Sequence, residues 1–184
     1  MILSKTYVIE DYIKFGFKNI LFTNDYATNP MTINQTDNEI TVHSAAAGGL
    51  NSQNLFKTNN NFELSYTLEC NLPINGGLTF CLTNNGHTHS LGFESRKYYS
   101  QNKWDLKQDN AIVTNYFELN RISTFNIKLV RINSTTIEFY VDDSLIRTFN
   151  NLNWLSDDLQ LCFESWSGDA RDYHKVSNFK ISQL

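Results

Sequence analysis

The chain has 184 residues, of which 41% are hydrophobic and 14% aromatic, and this composition excludes an intrinsically disordered protein. The formal net charge is −4 at pH 7, and no cluster of Lys and Arg is present, so we expect no nucleic-acid partner. The length suits one domain, and we expect a single domain over residues 1–184.

The N-terminus and the cysteines indicate the compartment. Met1 to Tyr7 has no basic segment followed by an apolar run, and no stretch is long and apolar enough to span a bilayer. We therefore expect no signal peptide, no membrane insertion and synthesis in the cytosol. Cys70, Cys81 and Cys162 are odd in number and widely spaced, which predicts neither a disulfide framework nor a zinc site.

The first third of the chain predicts short strands. Tyr7–Ile13, Met31–Ile33 and Glu39–His43 have the apolar content of strands. Because the termini of a domain often lie close together, we expect the N-terminal strand to lie beside the C-terminal one, Val176–Ile181.

From residue 62 onward the dominant hydrophobic period is two. Apolar residues alternate with polar ones in several runs, which is the pattern of half-buried strands; these runs are 62–69, 78–83, 125–129, 136–141 and 159–164. Asn-, Asp- and Gly-rich turns separate them, and only Asn153–Asp158 indicates a helical turn. The sequence predicts an all-β sandwich or barrel.

The segment Phe125–Ile146 resembles the three-strand meander of the concanavalin A-like lectin/glucanase superfamily, including its laminin G-like jelly rolls. Its Phe-Tyr-Val-Asp-Asp stretch has Asp143 where that family usually has Gly, so we expect a different turn type there. Leu159–Trp166 and Val176–Ile181 resemble the family's penultimate and closing strands. The resemblance covers about residues 62 to 181 and implies a two-sheet antiparallel jelly-roll sandwich. Family members include lectins, glycosidases, adhesion modules and viral or phage surface proteins, so it specifies architecture better than function.

The resemblance also implies a ligand face. If the apolar runs of the 78–83 and 159–164 strands point inward, the alternate residues lie on a curved sheet whose concave face holds ligands in that family. The candidate ligand-binding residues are Glu94, Arg96, Tyr98, Tyr99, Trp104, Glu164, Trp166 and His89. Aromatic rings can stack on a sugar while carboxylates and Arg bind its hydroxyls. The alternative for Trp104 and Trp166 is that they cap the core. The leading hypothesis is a non-catalytic, lectin-like module whose partner is a glycan or glycoconjugate.

Two other functions are compatible with the sequence. Glu94 and Glu164 are both expected to point away from the core, so they are a candidate catalytic pair for a glycoside hydrolase. Retaining hydrolases need two carboxyl groups about 5–5.5 Å apart, and inverting ones about 6.5–9.5 Å apart. The glucanase branch of the resembled family carries Glu-x-Asp-x-(x)-Glu on one strand, which is absent here, so we predict no enzyme. The other alternative is a structural protein of a virion or surface assembly, or a homo-oligomer, that buries exposed aromatics against a partner.

No cofactor is predicted. His87 and His89 can point to the same side of an extended segment, but no third zinc ligand accompanies them. Calcium is possible and not predicted; the candidate ligands are the loop aspartates at 142, 143, 157, 158, 169 and 172. Cys81 and Cys162 are expected to face one another across strands as inert thiols, and nothing places His43 or His174 near a nucleophile.

Overall fold

We analysed a computed structural model of the chain. It describes residues 6–8, 16–17, 20–24, 31–43, 48–53, 55–57, 60–71, 76–98, 101–109, 111–113, 117–118, 122–167 and 171–184. Within these residues there are seventeen strands and one short 3₁₀ helix, and the strands form two sheets. The predicted all-β architecture of two packed sheets is confirmed.

The first sheet contains ten of the described strands. They are β1 (Thr6–Val8), β2 (Phe22–Asn24), β5 (Gly48–Ser52), β6 (Leu55–Lys57), β8 (Gly76–Asn84), β9 (Ser90–Tyr98), β10 (Gln101–Gln108), β11 (Ala111–Ile112), β12 (Phe117–Glu118) and β16 (Leu159–Ser167). The main order is β1-β6-β16-β8-β9-β10-β11; β5 also pairs with β16, β2 with β5, and β12 with β10.

The second sheet contains seven strands in the order β15-β14-β13-β7-β17-β4-β3. They are β3 (Thr32–Gln35), β4 (Glu39–His43), β7 (Phe62–Asn71), β13 (Ile122–Asn133), β14 (Thr136–Val141), β15 (Ser144–Phe149) and β17 (Tyr173–Gln183). The 3₁₀ helix, Asn153–Ser156, lies within the segment predicted to form a helical turn. All described strand pairs are antiparallel except β1 with β6.

The prediction for the N-terminal strand is wrong in its pairing. β1 pairs in parallel with β6, and the C-terminal strand β17 lies between β4 and β7. Only 6–8 are described here, so residues 9–13 of the predicted strand lie outside the described part of the chain. The neighbour of the C-terminal strand is instead β4, which has the predicted bounds.

The core lies between the two sheets and is built by the predicted alternation. Phe80 of β8 and Phe163 of β16 are register partners with ring centroids 4.6 Å apart, and the Tyr66 ring of β7 meets Phe80 edge-on at 4.8 Å. Because alternate residues of each strand point to opposite faces, burying these rings turns their neighbours toward the other face of the first sheet. That face contains the candidate site.

The β14–β15 turn has Asp143 at the position where the resembled family usually has Gly. Asp142 and Asp143 have φ angles of 47° and 62°, so both adopt the left-handed region of a two-residue type I′ turn. This turn type accepts Asp at the first position and favours Gly at the second. The chain therefore carries some backbone strain at Asp143.

We expect Asp143→Gly to raise the free energy of unfolding by about 1 kcal/mol, because Gly adopts a positive φ without steric cost. The ion pair with Lys128, at 3.6 Å, involves a carboxylate that is 95% exposed and contributes little. Asp142→Gly is the matched control, since it also removes the Oδ1 atom that accepts the Asn126 N–H at 2.8 Å. Urea unfolding of the three proteins tests this; a less stable Asp143→Gly variant would contradict it.

Candidate functional site

Two of the predicted site carboxylates lie on one row across the first sheet. Glu164 on β16 pairs with Thr79 on β8, and Thr79 pairs on its other side with Glu94 on β9. Glu94 in turn pairs with Asp105 on β10. Directly opposed residues in antiparallel strands point to the same face, so all four side chains project away from the core. The face therefore carries three carboxyl groups on one row.

Two cations connect these carboxyl groups. Arg96 Nε lies 2.6 Å from Asp105 Oδ2, and Lys107 Nζ lies 3.5 Å from Glu94 Oε1 and 3.9 Å from Glu164 Oε2. We call these five residues the charged face. Sequence reasoning missed Asp105 and Lys107, although their alternation with Leu106 on β10 was a usable signal.

Asp105 is the most perturbed acid of the charged face. Its side chain is fully buried, and the pKa of this carboxyl is raised to about 6. Burial is the main cause of the increase; Arg96 opposes it and the charge of Glu94 adds to it. A carboxyl group with such a pKa holds its proton for part of the time near neutral pH and can donate it in a hydrogen bond.

Solvent reaches only part of the charged face. Glu94 is 3% exposed, whereas the side chains of Arg96, Lys107 and Glu164 are 16%, 14% and 26% exposed. A ligand can therefore contact Glu164, Arg96 and Lys107 directly. Glu94, which we expected to bind a ligand, is buried beside Lys107, and its ligand-binding role stays a prediction.

Trp104 does not lie on this face, which corrects its predicted role. β10 pairs with β9 so that Trp104 lies opposite Ser95, one residue out of step with Glu94 and Arg96. Its ring consequently points into the core, where it stacks on Phe93 at 5.2 Å and meets the Phe125 ring at 6.1 Å. The alternative reading of Trp104, as part of the core edge, is the one the structure supports.

His89 is also separated from the charged face. It lies in the loop before β9, where its ring stacks on Trp154 at 6.3 Å and its Nδ1 atom lies 3.4 Å from Asp109. Glu94 is five residues further along the chain, roughly 16 Å away at the rise of a strand. His89 therefore lies apart from the charged face, and its role at the rim of a ligand site stays a prediction.

The other predicted aromatics are only partly described. Trp166 lies within β16, between Ser165 and Ser167, where the pairing with β8 shifts by one residue in a β-bulge. Tyr98 is the last residue of β9. For both Trp166 and Tyr98 the structure describes the backbone only. Tyr99 lies outside the described residues. The ligand-binding roles of these three residues stay predictions.

The core contains a buried polar cluster that was not predicted from the sequence. His174 Nε2 of β17 is hydrogen-bonded to Ser95 Oγ of β9, across the two sheets. His174 is fully buried, and burial lowers its pKa to about 3. Cys70, the register partner of His174, donates to Ser123 O at 3.6 Å, and burial raises its pKa to about 12. Nothing in the sequence placed His174 near a nucleophile, whereas the structure brings the Ser95 hydroxyl to its ring. Burial leaves this cluster closed to substrates.

Potential metal ligands converge at one place within the described ranges. Cys81, Cys162 and Glu164 offer ligand atoms that all lie within 4.8 Å of one another. The aspartates considered for calcium make no such group among the described residues; Asp142 Oδ1 instead accepts the Asn126 N–H. Calcium binding stays untested.

Large exposed hydrophobic side chains are aliphatic wherever the structure describes them. They are Leu21, Ile112, Ile122, Ile132, Leu145 and Leu184. The assembly hypothesis requires exposed aromatics, so these residues give it no support. No helix in the described segments is both long and apolar enough to cross a bilayer.

Comparison with known proteins identifies the fold. No protein-family model matches the sequence, and no curated protein does. A structure from work on endo-acting O-glycanases, which prominent members of the human gut microbiota express to initiate mucin breakdown, aligns with a TM-score of 0.67 at 10% identity, over 96% of this chain and 99% of the other.

Two further solved structures are similar. The carbohydrate-binding module CBM66 from Bacillus subtilis aligns with a TM-score of 0.59 at 10% identity, over 90% of this chain and 98% of the module. The β-glucanase of Bacillus licheniformis aligns with a TM-score of 0.58 at 12% identity, over 95% and 98%. The chain thus has the concanavalin A-like jelly-roll fold that its sequence predicted.

Proposed function

We propose that this protein binds carbohydrate without cleaving it, at the exposed part of the charged face. The observation that carries the proposal is the set of partly exposed ionic groups, Glu164, Arg96 and Lys107, on a sheet whose other face is the core. Carboxylate and guanidinium groups fixed in this way offer both acceptors and donors to sugar hydroxyls.

Rigidity supports the proposal. Lys107 contacts two carboxylates and Arg96 contacts the buried Asp105, so the polar groups are held in place before a ligand arrives. Groups that are already ordered lose less conformational entropy on binding. Trp166 follows Glu164 by two residues in β16, and Tyr98 follows Arg96 by two residues in β9, which is compatible with their predicted stacking on the same ligand.

The similar structures support the same ligand class. One is by name a carbohydrate-binding module and another a β-glucanase, so this fold presents carbohydrate sites in proteins with and without catalysis. Because identity to these proteins is low, the case for the present chain depends on its own side chains.

A glycan array with Glu164→Gln tests the proposal. We expect the wild-type protein to bind one class of glycan and Glu164→Gln to bind it about 10–100-fold more weakly, the cost of losing a charged hydrogen bond. Adding calcium and then a chelator to the array shows whether that ion takes part. Trp166→Ala tests the predicted stacking residue in the same assay.

Glu39→Gln is the matched control. Glu39 lies on the second sheet and its carboxylate is 4.0 Å from Lys175 Nζ, much like the contact between Glu164 and Lys107. It should bind as the wild type does. A folded wild-type protein that binds no glycan would overturn the proposal and would favour a structural role.

A glycoside hydrolase that uses Glu94 and Glu164 is the second candidate, because both carboxylates contact the same Lys107 ammonium. Glu164→Gln distinguishes the two functions: in a hydrolase this variant would bind glycan but lose turnover. A wild-type protein that cleaves nothing in a broad panel contradicts this candidate.

A further inference from the structure

Two thiols and a carboxylate converge on the first sheet, beside the charged face. Cys81 of β8 and Cys162 of β16 are register partners, and Glu164 lies two residues after Cys162 and so on the same face. Their two sulfur atoms and a carboxylate oxygen lie within 4.8 Å of one another. The proposed carbohydrate binding involves neither thiol.

The spacing fits a tetrahedral metal site. Zinc binds thiolate sulfur at about 2.3 Å, so two sulfur ligands in a tetrahedron lie roughly 3.8 Å apart. Three ligand atoms within 4.8 Å reach this arrangement by small side-chain rotations. Calcium, in contrast, requires six to eight oxygen ligands, which thiols do not supply.

Unpaired buried polar atoms lie on the same face. Asn51, opposite Cys162 on β5, has a buried Oδ1 atom with no hydrogen-bond partner among the described residues. Thr79 lies on β8 opposite Glu164, and its buried Oγ1 atom also has no hydrogen-bond partner among the described residues. A buried polar group without a partner destabilises the fold, so two of them beside one cluster of ligand atoms indicate a bound polar species.

The local charge also favours a dication. With both thiols ionised, Cys81, Cys162, Glu164 and Glu94 carry four negative charges against one positive charge on Lys107. The other two residues of the charged face, Arg96 and Asp105, form an ion pair with each other. A divalent ion replaces the two thiol protons, which pass to solvent, and Lys107 keeps Glu94 as its partner.

We propose that Cys81, Cys162 and Glu164 bind a divalent ion of the zinc class through three protein ligands, with a fourth position open to water or a ligand. Glu164 is 26% exposed and marks the route by which the ion enters. The inference does not rest on glycan binding, and it departs from the sequence-based prediction that no metal is bound.

Cobalt(II) titration of the reduced full-length chain tests the proposal without any sugar. Thiolate ligands give cobalt an intense near-ultraviolet charge-transfer band, and we expect this band to saturate at one cobalt per chain and to vanish when zinc is added. Cys81→Ser and Cys162→Ser should each weaken cobalt binding by more than about 100-fold, beyond the 10–100-fold cost of outer-shell changes. Glu164→Gln should weaken it while keeping the band.

Cys70→Ser is the matched control, because Cys70 is an equally buried free thiol on the second sheet and should leave the titration unchanged. An alkylation assay on the wild type covers the case in which the variants do not fold: zinc should protect two of the three thiols. A wild type with no charge-transfer band and no zinc protection overturns the proposal. So does a band that persists in both Cys81→Ser and Cys162→Ser.

Discussion

Trp104→Ala is expected to lower the free energy of unfolding by about 3–5 kcal/mol, the usual cost of truncating a buried Trp. The ring is 6% exposed and packs between Phe93 of its own sheet and Phe125 of the other. Its removal leaves a cavity between the sheets that neighbouring strands cannot fill. Urea unfolding followed by circular dichroism measures the change.

The same variant distinguishes the core role from the ligand role. Under conditions where Trp104→Ala stays folded, its glycan affinity should match that of the wild type, because the ring does not reach the charged face. Trp104→Phe is the graded control and should lose less stability, since it keeps an aromatic ring against Phe93. A Trp104→Ala variant of normal stability that fails to bind glycan would contradict its assignment to the core.

The error over Trp104 shows what a sequence pattern can and cannot predict. The period of two predicted correctly which residues of β8, β9 and β16 face the core, and it placed Glu94 and Glu164 together on the other face. The alternation in one strand does not predict which residues of the next strand face the core, however, because the turn between them sets the register. Here Tyr98 pairs with Gln101, and this register turns Trp104 inward.

Long-range contacts were predictable only where a family resemblance supplied them. Cys81 and Cys162 are 81 positions apart in the sequence, and their pairing depends on β16 lying beside β8. The resemblance to a jelly roll implied that neighbourhood, whereas nothing local did. The contact of His174 with Ser95 crosses the two sheets and depends on how they are stacked. No spacing in the sequence signals it.

The second large prediction concerns this histidine: His174→Gln should gain stability relative to the wild type as the pH falls. Burial holds the pKa of folded His174 at about 3, against about 6.5 in an unfolded chain. Above pH 6.5 neither state is protonated at this position. Below it, only the unfolded wild type takes up the proton, so the wild type loses about 1.4 kcal/mol per pH unit until the pH approaches 3. Gln binds no proton, and the variant avoids this loss.

Asp105 changes the free energy of unfolding with pH in the opposite direction. The effect of His174 is therefore measured as the difference in stability between each variant and the wild type. Its folded pKa of about 6 lies above its ordinary value of 3.8, so between these values the folded state holds a proton that the unfolded state has released. Falling pH therefore strengthens folding through Asp105 while it weakens folding through His174. The two contributions partly cancel in the wild type and flatten its stability profile between pH 6 and pH 4.

Urea unfolding at several pH values between 7.5 and 4.5 tests the pair of variants. The stability of His174→Gln minus that of the wild type should rise steadily below pH 6.5, by roughly 2–3 kcal/mol at pH 4.5. Asp105→Asn should show the reverse, losing stability relative to the wild type below pH 6. A folded-state NMR titration gives the direct check on His174. A His174 ring that protonates near pH 6.5 would be incompatible with its burial against Ser95 and would remove the cause of the slope expected for His174→Gln.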